Sequence, residues 1–127
     1  MLGKANAIPT IAVKNLDTAR RFYHDTLGLK EGRSEDGEVL VFASGDSLIN
    51  VYRSEFAGTN KATAVTWAVK DIEAEVRDLK AKGVIFEHYN MPGLKLQGDI
   101  HVAGSMKVAW FKDPDGNILN IYNQEAA

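Results

Sequence analysis

Two strand-like strings carry the chain's most suggestive side chains. "SLINVY", residues 47–52, and "NILNIY", residues 117–122, each hold an asparagine with a tyrosine two residues later. In extended backbone, successive side chains alternate between faces, so Leu48, Asn50 and Tyr52 share one face, and Ile118, Asn120 and Tyr122 share another. A carboxamide offers two donors and an acceptor without charge, and a tyrosine adds an aromatic wall with a hydroxyl. Such a set suits a neutral, planar, polar ligand. The plainer alternative is that Asn50 and Asn120 only satisfy each other or water in a polar interior.

Histidine supplies the other candidate chemistry. His88 in "FEHYN" and His101 in "DIHVAG" flank residues 90–104, a glycine-containing stretch without strong periodicity that reads as a lid or binding loop. Either imidazole can work as an acid or base near neutral pH, or orient a ligand. A single histidine at a strand end is more often a satisfied structural group. Joined by Glu87 or Asp99, the two histidines also suggest a displaced metal site, but no pair has a recognisable ligand spacing. His24, between Tyr23 and Asp25 on a helix, belongs at a solvated or interface edge.

The elements that must hold these groups are written twice. Residues 8–13 read as a strand, and Asp17 then caps a helix whose Ala19, Phe22, Tyr23 and Leu27 form one apolar face, ended by Gly28. Strands follow near 29–34, 38–43 and 47–52, separated by turn signals at Glu35-Asp36-Gly37 and Gly45-Asp46. After a polar connection over 53–63 the pattern restarts with a strand over 64–69. Asp71 caps a second helix, Ile72, Val76 and Leu79 form its apolar face, and Gly83 ends it. Strands near 84–89, 107–112 and 117–122 complete the second unit. The joints match too: "AVKNLDTA" at 12–19 parallels "AVKDIEAE" at 68–75. Glu73, Glu75, Arg77, Asp78, Lys80 and Lys82 form the second helix's solvated face. Trp67 reads as core, whereas Trp110 is open to a reading as core or cavity wall.

Composition narrows the function classes. A chain of 127 residues, 45% hydrophobic and 25% charged, fits one globular unit. Its formal charge of -2, with basic and acidic residues interleaved, gives no electrostatic reason to expect nucleic acid. The absence of cysteine excludes disulfides and thiolate ligands or nucleophiles. No apolar run reaches a membrane span and the first residues lack a signal-like core, so a cytoplasmic protein without a membrane partner is expected.

The repeated strand, helix and three strands, together with "LDTARRFYHDTLGL" at 16–29 and "AWFKDPDGNILNIY" at 109–122, resemble the vicinal oxygen chelate superfamily of glyoxalase I, bleomycin resistance proteins and extradiol dioxygenases. The resemblance implies an α+β fold in one domain over 1–127. Two tandem βαβββ modules, at about 5–53 and 63–124, would form a curved mixed β-sheet around a cavity with the helices outside, commonly in a homodimer. The DPDG string has a simpler reading as a type I turn with Asp113, Pro114 and Gly116 at its first, second and fourth positions.

Metal-using members of that superfamily take a histidine or glutamine from each module's first strand and a glutamate from its last strand. Carried onto this sequence, those positions fall on Ile8, Asn50, Ala64 and Asn120. Two apolar side chains and two neutral amides do not replace the imidazoles and carboxylates that a catalytic divalent ion wants. The resemblance therefore implies a metal-free and cofactor-free protein of the bleomycin-resistance type. Its cavity would bind a small aromatic or heterocyclic molecule through Asn50, Tyr52, Asn120, Tyr122 and Thr66, and the small Ala12, Ala64, Thr66 and Ala68 would leave it room. Two other readings stay open. One is a lyase, isomerase or dioxygenase acting without metal, through His88 or His101 with Tyr52 or Tyr122, or with a displaced metal site. The other is a purely structural dimer partner.

Overall fold

Asn15 and Asp71 mark the two points where an extended strand turns into a helix. Both sit in extended backbone, and each side chain accepts an amide hydrogen three residues on, from Thr18 at 2.9 Å and from Ala74 at 3.1 Å. The first cap is thus Asn15 and not Asp17, which already lies in the helix's first turn and pairs with Arg20. Only the residue still in extended backbone can fold its side chain back onto the third helical amide.

In the computed structural model, which describes residues 1–34 and 37–124, α1 runs over Leu16–Arg20 and continues as a wider π-helical stretch over Arg21–Thr26. The second helix, α2, spans Ile72–Ala81. Gly28 and Gly83 leave these helices with φ of 79° and 94°, where a side chain would be strained. Glu35 and Asp36 of the first expected turn lie outside the described residues. Among the described residues, no helix is long and apolar enough to cross a membrane.

The first module contributes β1 (Thr10–Val13), β2 (Lys30–Glu31), β3 (Val39–Ser44) and β4 (Ser47–Arg53), in the order β1-β4-β3-β2 with β1 and β4 parallel. The second contributes β5 (Thr63–Val69), β6 (Phe86–Glu87), β7 (Lys95–Gln97), β8 (Ile100–Ala103), β9 (Met106–Lys112) and β10 (Ile118–Asn123). Here β5 is parallel to β10, β10 pairs with β9, and β9 is shared on its far side by β6 and β8. The echoing strings are β4 and β10, each lying between the first and penultimate strands of its module. Two copies of the βαβββ plan are therefore present, as the repeat predicts.

Residues 90–104 differ from expectation. Most of the stretch, residues 95–103, forms the hairpin β7–β8, which widens the second sheet, in place of an irregular lid. Its turn at Gly98-Asp99 and the next at Gly104-Ser105 repeat the two-residue turn at Gly45-Asp46, with glycine φ of 64°, 60° and 56° respectively. Strands of three and four residues are too short to show alternation, so only the turns announce them.

One continuous core joins the modules. Ile11, Val13, Leu40, Phe42, Ile49 and Val51 from the first sheet meet Val65, Ala109, Phe111, Leu119 and Ile121 from the second, with Ala19 and Tyr23 of the first helical segment and Ile72, Val76 and Leu79 of α2 between them. Phe22 approaches Phe111, with ring centroids 6.5 Å apart. Trp67 stacks on Phe111 and donates its indole N–H to Ser44 Oγ at 2.8 Å, which places it against the core as read. Burying such side chains contributes about 1.5–3 kcal/mol each. The helix-bearing faces of both sheets are thus turned to this shared core, and the opposite faces are left open.

The DPDG turn closes the joint. Gly116 N–H donates to Asp113 O at 3.0 Å, Asn117 Nδ2 donates to Ala12 O at 2.7 Å, and Lys14 N–H donates to Asp115 Oδ2 at 3.1 Å. These residues fasten β1 of one module to the β9–β10 turn of the other, which accounts for them without any catalytic role.

Candidate functional site

The register of the second sheet fixes which side chains share its open face. Cross-strand partners point to the same side, so Thr66, Asn120, Trp110 and Glu87 form one row, and Ala68, Tyr122, Val108, His101 and Leu96 form the next. Asn120, Tyr122 and Thr66 therefore lie where alternation puts them. Trp110 joins them as a wall and is not helix-side core. The hairpin brings His101 onto the same surface.

Aromatic rings close over part of it. Tyr89, just beyond β6, stacks on His101 with centroids 6.2 Å apart and meets Trp110 edge-on at 5.4 Å; His101 meets Trp110 edge-on at 4.9 Å. Trp110 Nε1–H donates to Thr63 Oγ1 at 3.2 Å. Tyr89 and Trp110 also line a cleft of about 270 Å³, with Thr63, Met91, Ile118, Lys61 and Ala62 around it. Glu87 pairs with Lys112 at 3.3 Å on the same face. Burial raises the pKa of the Tyr89 hydroxyl, and the charge of Glu87 adds to the effect.

His101 is 1% exposed, and its Nε2 lies 2.9 Å from the backbone nitrogen of Tyr89. A backbone amide only donates, so Nε2 holds a lone pair and the proton of the neutral ring is on Nδ1. The imidazole is thereby set as a hydrogen-bond donor, with its basic lone pair already engaged. Three polar atoms in this neighbourhood are enclosed without a partner: His101 Nδ1, Tyr89 Oη and Asn120 Oδ1.

The remaining candidates lie elsewhere. His88 Nε2 meets Asp99 Oδ1 at 2.7 Å, and Lys80 Nζ meets Asp99 Oδ2 at 2.7 Å, in a largely exposed cluster tying the hairpin to α2. His88 is thus spent on a surface pair and does not join His101. Asn50 and Tyr52 lie on the open face of the first sheet, where Thr10, Asn50 and Val41 form the row equivalent to Thr66, Asn120 and Trp110. The two asparagines occupy equivalent places on different sheets, and Asn120 Oδ1 accepts no hydrogen bond from Asn50. His24 Nδ1 lies 2.8 Å from Leu29 O and the side chain is half exposed, in keeping with an edge position.

The four positions that the resemblance points to as metal ligands offer a poor donor set here. Ile8 and Ala64 carry no ligand atom, and Asn50 and Asn120 are neutral. Among the described residues, no three His, Asp or Glu side chains are grouped as a metal ion would need. Sequence reasoning missed Tyr89 as a site residue and could not assign His101. Counting Gly98-Asp99 and Gly104-Ser105 as two-residue turns would have placed His101 opposite Val108, and so on the face of Tyr122.

Comparison with known structures reveals the same fold at low identity. A glyoxalase family protein from Enterococcus faecalis superposes with a TM-score of 0.73 at 20% identity, covering 96% of this chain and 99% of that one. The fosfomycin resistance protein FosX from Listeria monocytogenes gives 0.66 at 14% identity, covering 98% and 94%. TnmS3, an antibiotic binding protein from Streptomyces sp. CB03234, gives 0.64 at 18% identity, covering 96% and 98%. No curated protein sequence matches the chain. The family model of the Glyoxalase/Bleomycin resistance protein/Dioxygenase superfamily matches residues 7–121, and with nearly the whole chain so covered, the protein belongs to that superfamily.

Proposed function

We propose that the protein binds a small, uncharged aromatic or heterocyclic molecule on the open face of its second module, without the superfamily's customary metal. The observation that carries this reading is Trp110, flanked by Asn120 and His101 and bordering a cleft, with three enclosed polar atoms around it lacking partners. An aromatic platform with a few placed polar groups is what small-molecule sites generally offer. The engaged lone pair of His101 disfavours the rival in which that residue is a general base with Tyr52 or Tyr122. Among solved structures of the same fold, one is described as an antibiotic binding protein, which fits sequestration.

A second copy of the chain is the reading's expected partner. Leu48 and Tyr52 on one open face, and Leu96, Met106 and Tyr122 on the other, are exposed apolar side chains. In a homodimer each first-module face would cover a second-module face, bringing Asn50 and Tyr52 of one copy over Asn120 and Tyr122 of the other.

The test is isothermal titration of a panel of neutral bicyclic heterocycles, with product analysis of each mixture. Binding without turnover, at one molecule per chain and weakened by Asn120→Ala and by Asn50→Ala, supports the reading. Affinity unchanged in the double variant would refute the placement, and time-dependent product lost on His101→Phe would favour an enzyme.

A further inference from the structure

Three enclosed polar atoms without partners gather around one indole ring: Asn120 Oδ1, His101 Nδ1–H and Tyr89 Oη. Each such atom costs its desolvation with no hydrogen bond in return, and native folds leave few of them. Their chemistry is complementary. Asn120 presents an acceptor on β10, His101 presents a donor on β8, and Trp110 lies on β9 between them. The two charges on this face beside Trp110, Glu87 and Lys112, pair with each other.

Resting on the binding reading above, we propose that this face selects a neutral planar heterocycle with an N–H at one edge and a carbonyl at the opposite edge, laid across Trp110. Asn120 Oδ1 accepts from the N–H and His101 Nδ1–H donates to the carbonyl. Spacing supports a ligand one ring system wide: adjacent strands lie about 4.8 Å apart, so the backbones of β10 and β8 are separated by roughly 10 Å before their side chains reach inward. Tyr89 is the moving wall. Its ring stands both in the cleft lining and against His101, and its hydroxyl has no partner to hold it. Displacing that ring from the cleft side uncovers the imidazole, whose tautomer stays fixed by the Tyr89 amide. The first module differs, because Val41 stands where the second has Trp110 and, among the described residues, no hairpin supplies a counterpart of His101.

The test uses three probes titrated calorimetrically into the full-length protein: 4-quinolone, its N-methyl derivative and quinoline. The second lacks the donor, and the third lacks both the donor and the carbonyl. Binding of 4-quinolone at least about tenfold tighter than either is expected, the loss that follows when a buried group is left unpaired. Asn120→Leu should erase the preference over the N-methyl probe, and His101→Phe should reduce the preference over quinoline to the part that Asn120 supplies while leaving the preference over the N-methyl probe intact, with circular dichroism confirming that each variant folds. If a variant fails to fold, the ranking of the three probes by the native protein still decides. Equal affinity for all three overturns the edge recognition and leaves the binding reading standing; no heat from any probe at about 1 mM, where even weak sites fill, overturns both.

Discussion

The phenolic hydroxyl of Tyr23 donates to Asp113 Oδ2 across 2.7 Å, joining the first helical segment of one module to the β9–β10 turn of the other. Both residues are buried, and the carboxylate is fully engaged: Oδ2 also accepts from Asn117 Nδ2 at 2.8 Å, and Oδ1 accepts the amides of Asp115 and Asn117 at 2.9 Å each. Tyr23→Phe keeps the ring packing and removes one charge-assisted bond, so urea unfolding should show a loss of about 1–3 kcal/mol.

The same pair makes stability fall in alkali. Burial first, then the negative charge of Asp113, holds the Tyr23 hydroxyl well above the ordinary tyrosine range. Above about pH 10 the unfolded chain releases a proton that the folded chain retains, so stability from this group is complete below that pH and declines by about 1.4 kcal/mol per unit above it. Unfolding of the native protein and of Tyr23→Phe, compared at about pH 8 and pH 11, should show a shallower decline in the variant. Parallel declines would mean that Tyr23 ionises as freely in the fold as outside it.

Gly58 tests how tightly the modules are stapled. It has φ of +74°, and a Cβ there would stand 2.0 Å from the carbonyl oxygen of Asp115, in the backbone of the inter-module turn. Gly45 has a similar φ of +56° with open space around it. Gly45→Ala should cost about 1–2 kcal/mol from conformation alone, whereas Gly58→Ala adds a clash between backbones and should cost more than about 3 kcal/mol. Thermal unfolding of the two variants side by side separates conformational strain from the fit of the connection against the turn.

These particulars show where the sequence was legible. The helix exits at Gly28 and Gly83, the cap at Asp71 and the facing of Asn50 and Asn120 follow from local rules, because each depends on residues within one turn or one strand. Asn15 and Asp17 are both good capping types, and only backbone conformation makes Asn15 the cap. The site was harder. Its aromatic cover depends on β6 ending after two residues, which frees Tyr89 to turn back over His101, and on β9 serving two strands on one side. Trp110 had undecided parity until its pairing with Asn120 fixed the register.

Asp99 controls the hairpin that carries His101. Hydrogen bonds from Lys80 and His88 hold its carboxyl below the usual aspartate range. The stabilisation is therefore present above about pH 4 and is lost as pH falls through the lowered value. In a largely exposed cluster the global effect of Asp99→Asn should stay within about 1 kcal/mol. Its local effect should be plainer: amide hydrogens of β7 and β8 exchange faster than in the native protein at neutral pH, while those of β4 and β10 keep their rates. Unchanged exchange in the hairpin would show that the ion pairs contribute nothing to holding it.

Metal binding separates the scaffold from the chemistry practised on it. With Ile8 and Ala64 at two of the expected ligand positions, the native protein should retain less than about a tenth of an equivalent of zinc, nickel, manganese or iron(II) after incubation and desalting. The combined substitution Ile8→His, Asn50→Glu, Ala64→His and Asn120→Glu restores an imidazole and a carboxylate to each module, with Ala64 on the parallel neighbour of β10 and Ile8 two residues ahead of β1, the parallel neighbour of β4. Near-stoichiometric zinc in that variant, read by elemental analysis, would show that the two open faces meet around one site and that side-chain identity alone had removed the metal. Retention by the native protein instead would mean that a different donor set exists, and the superfamily positions would no longer argue for a metal-free ligand site.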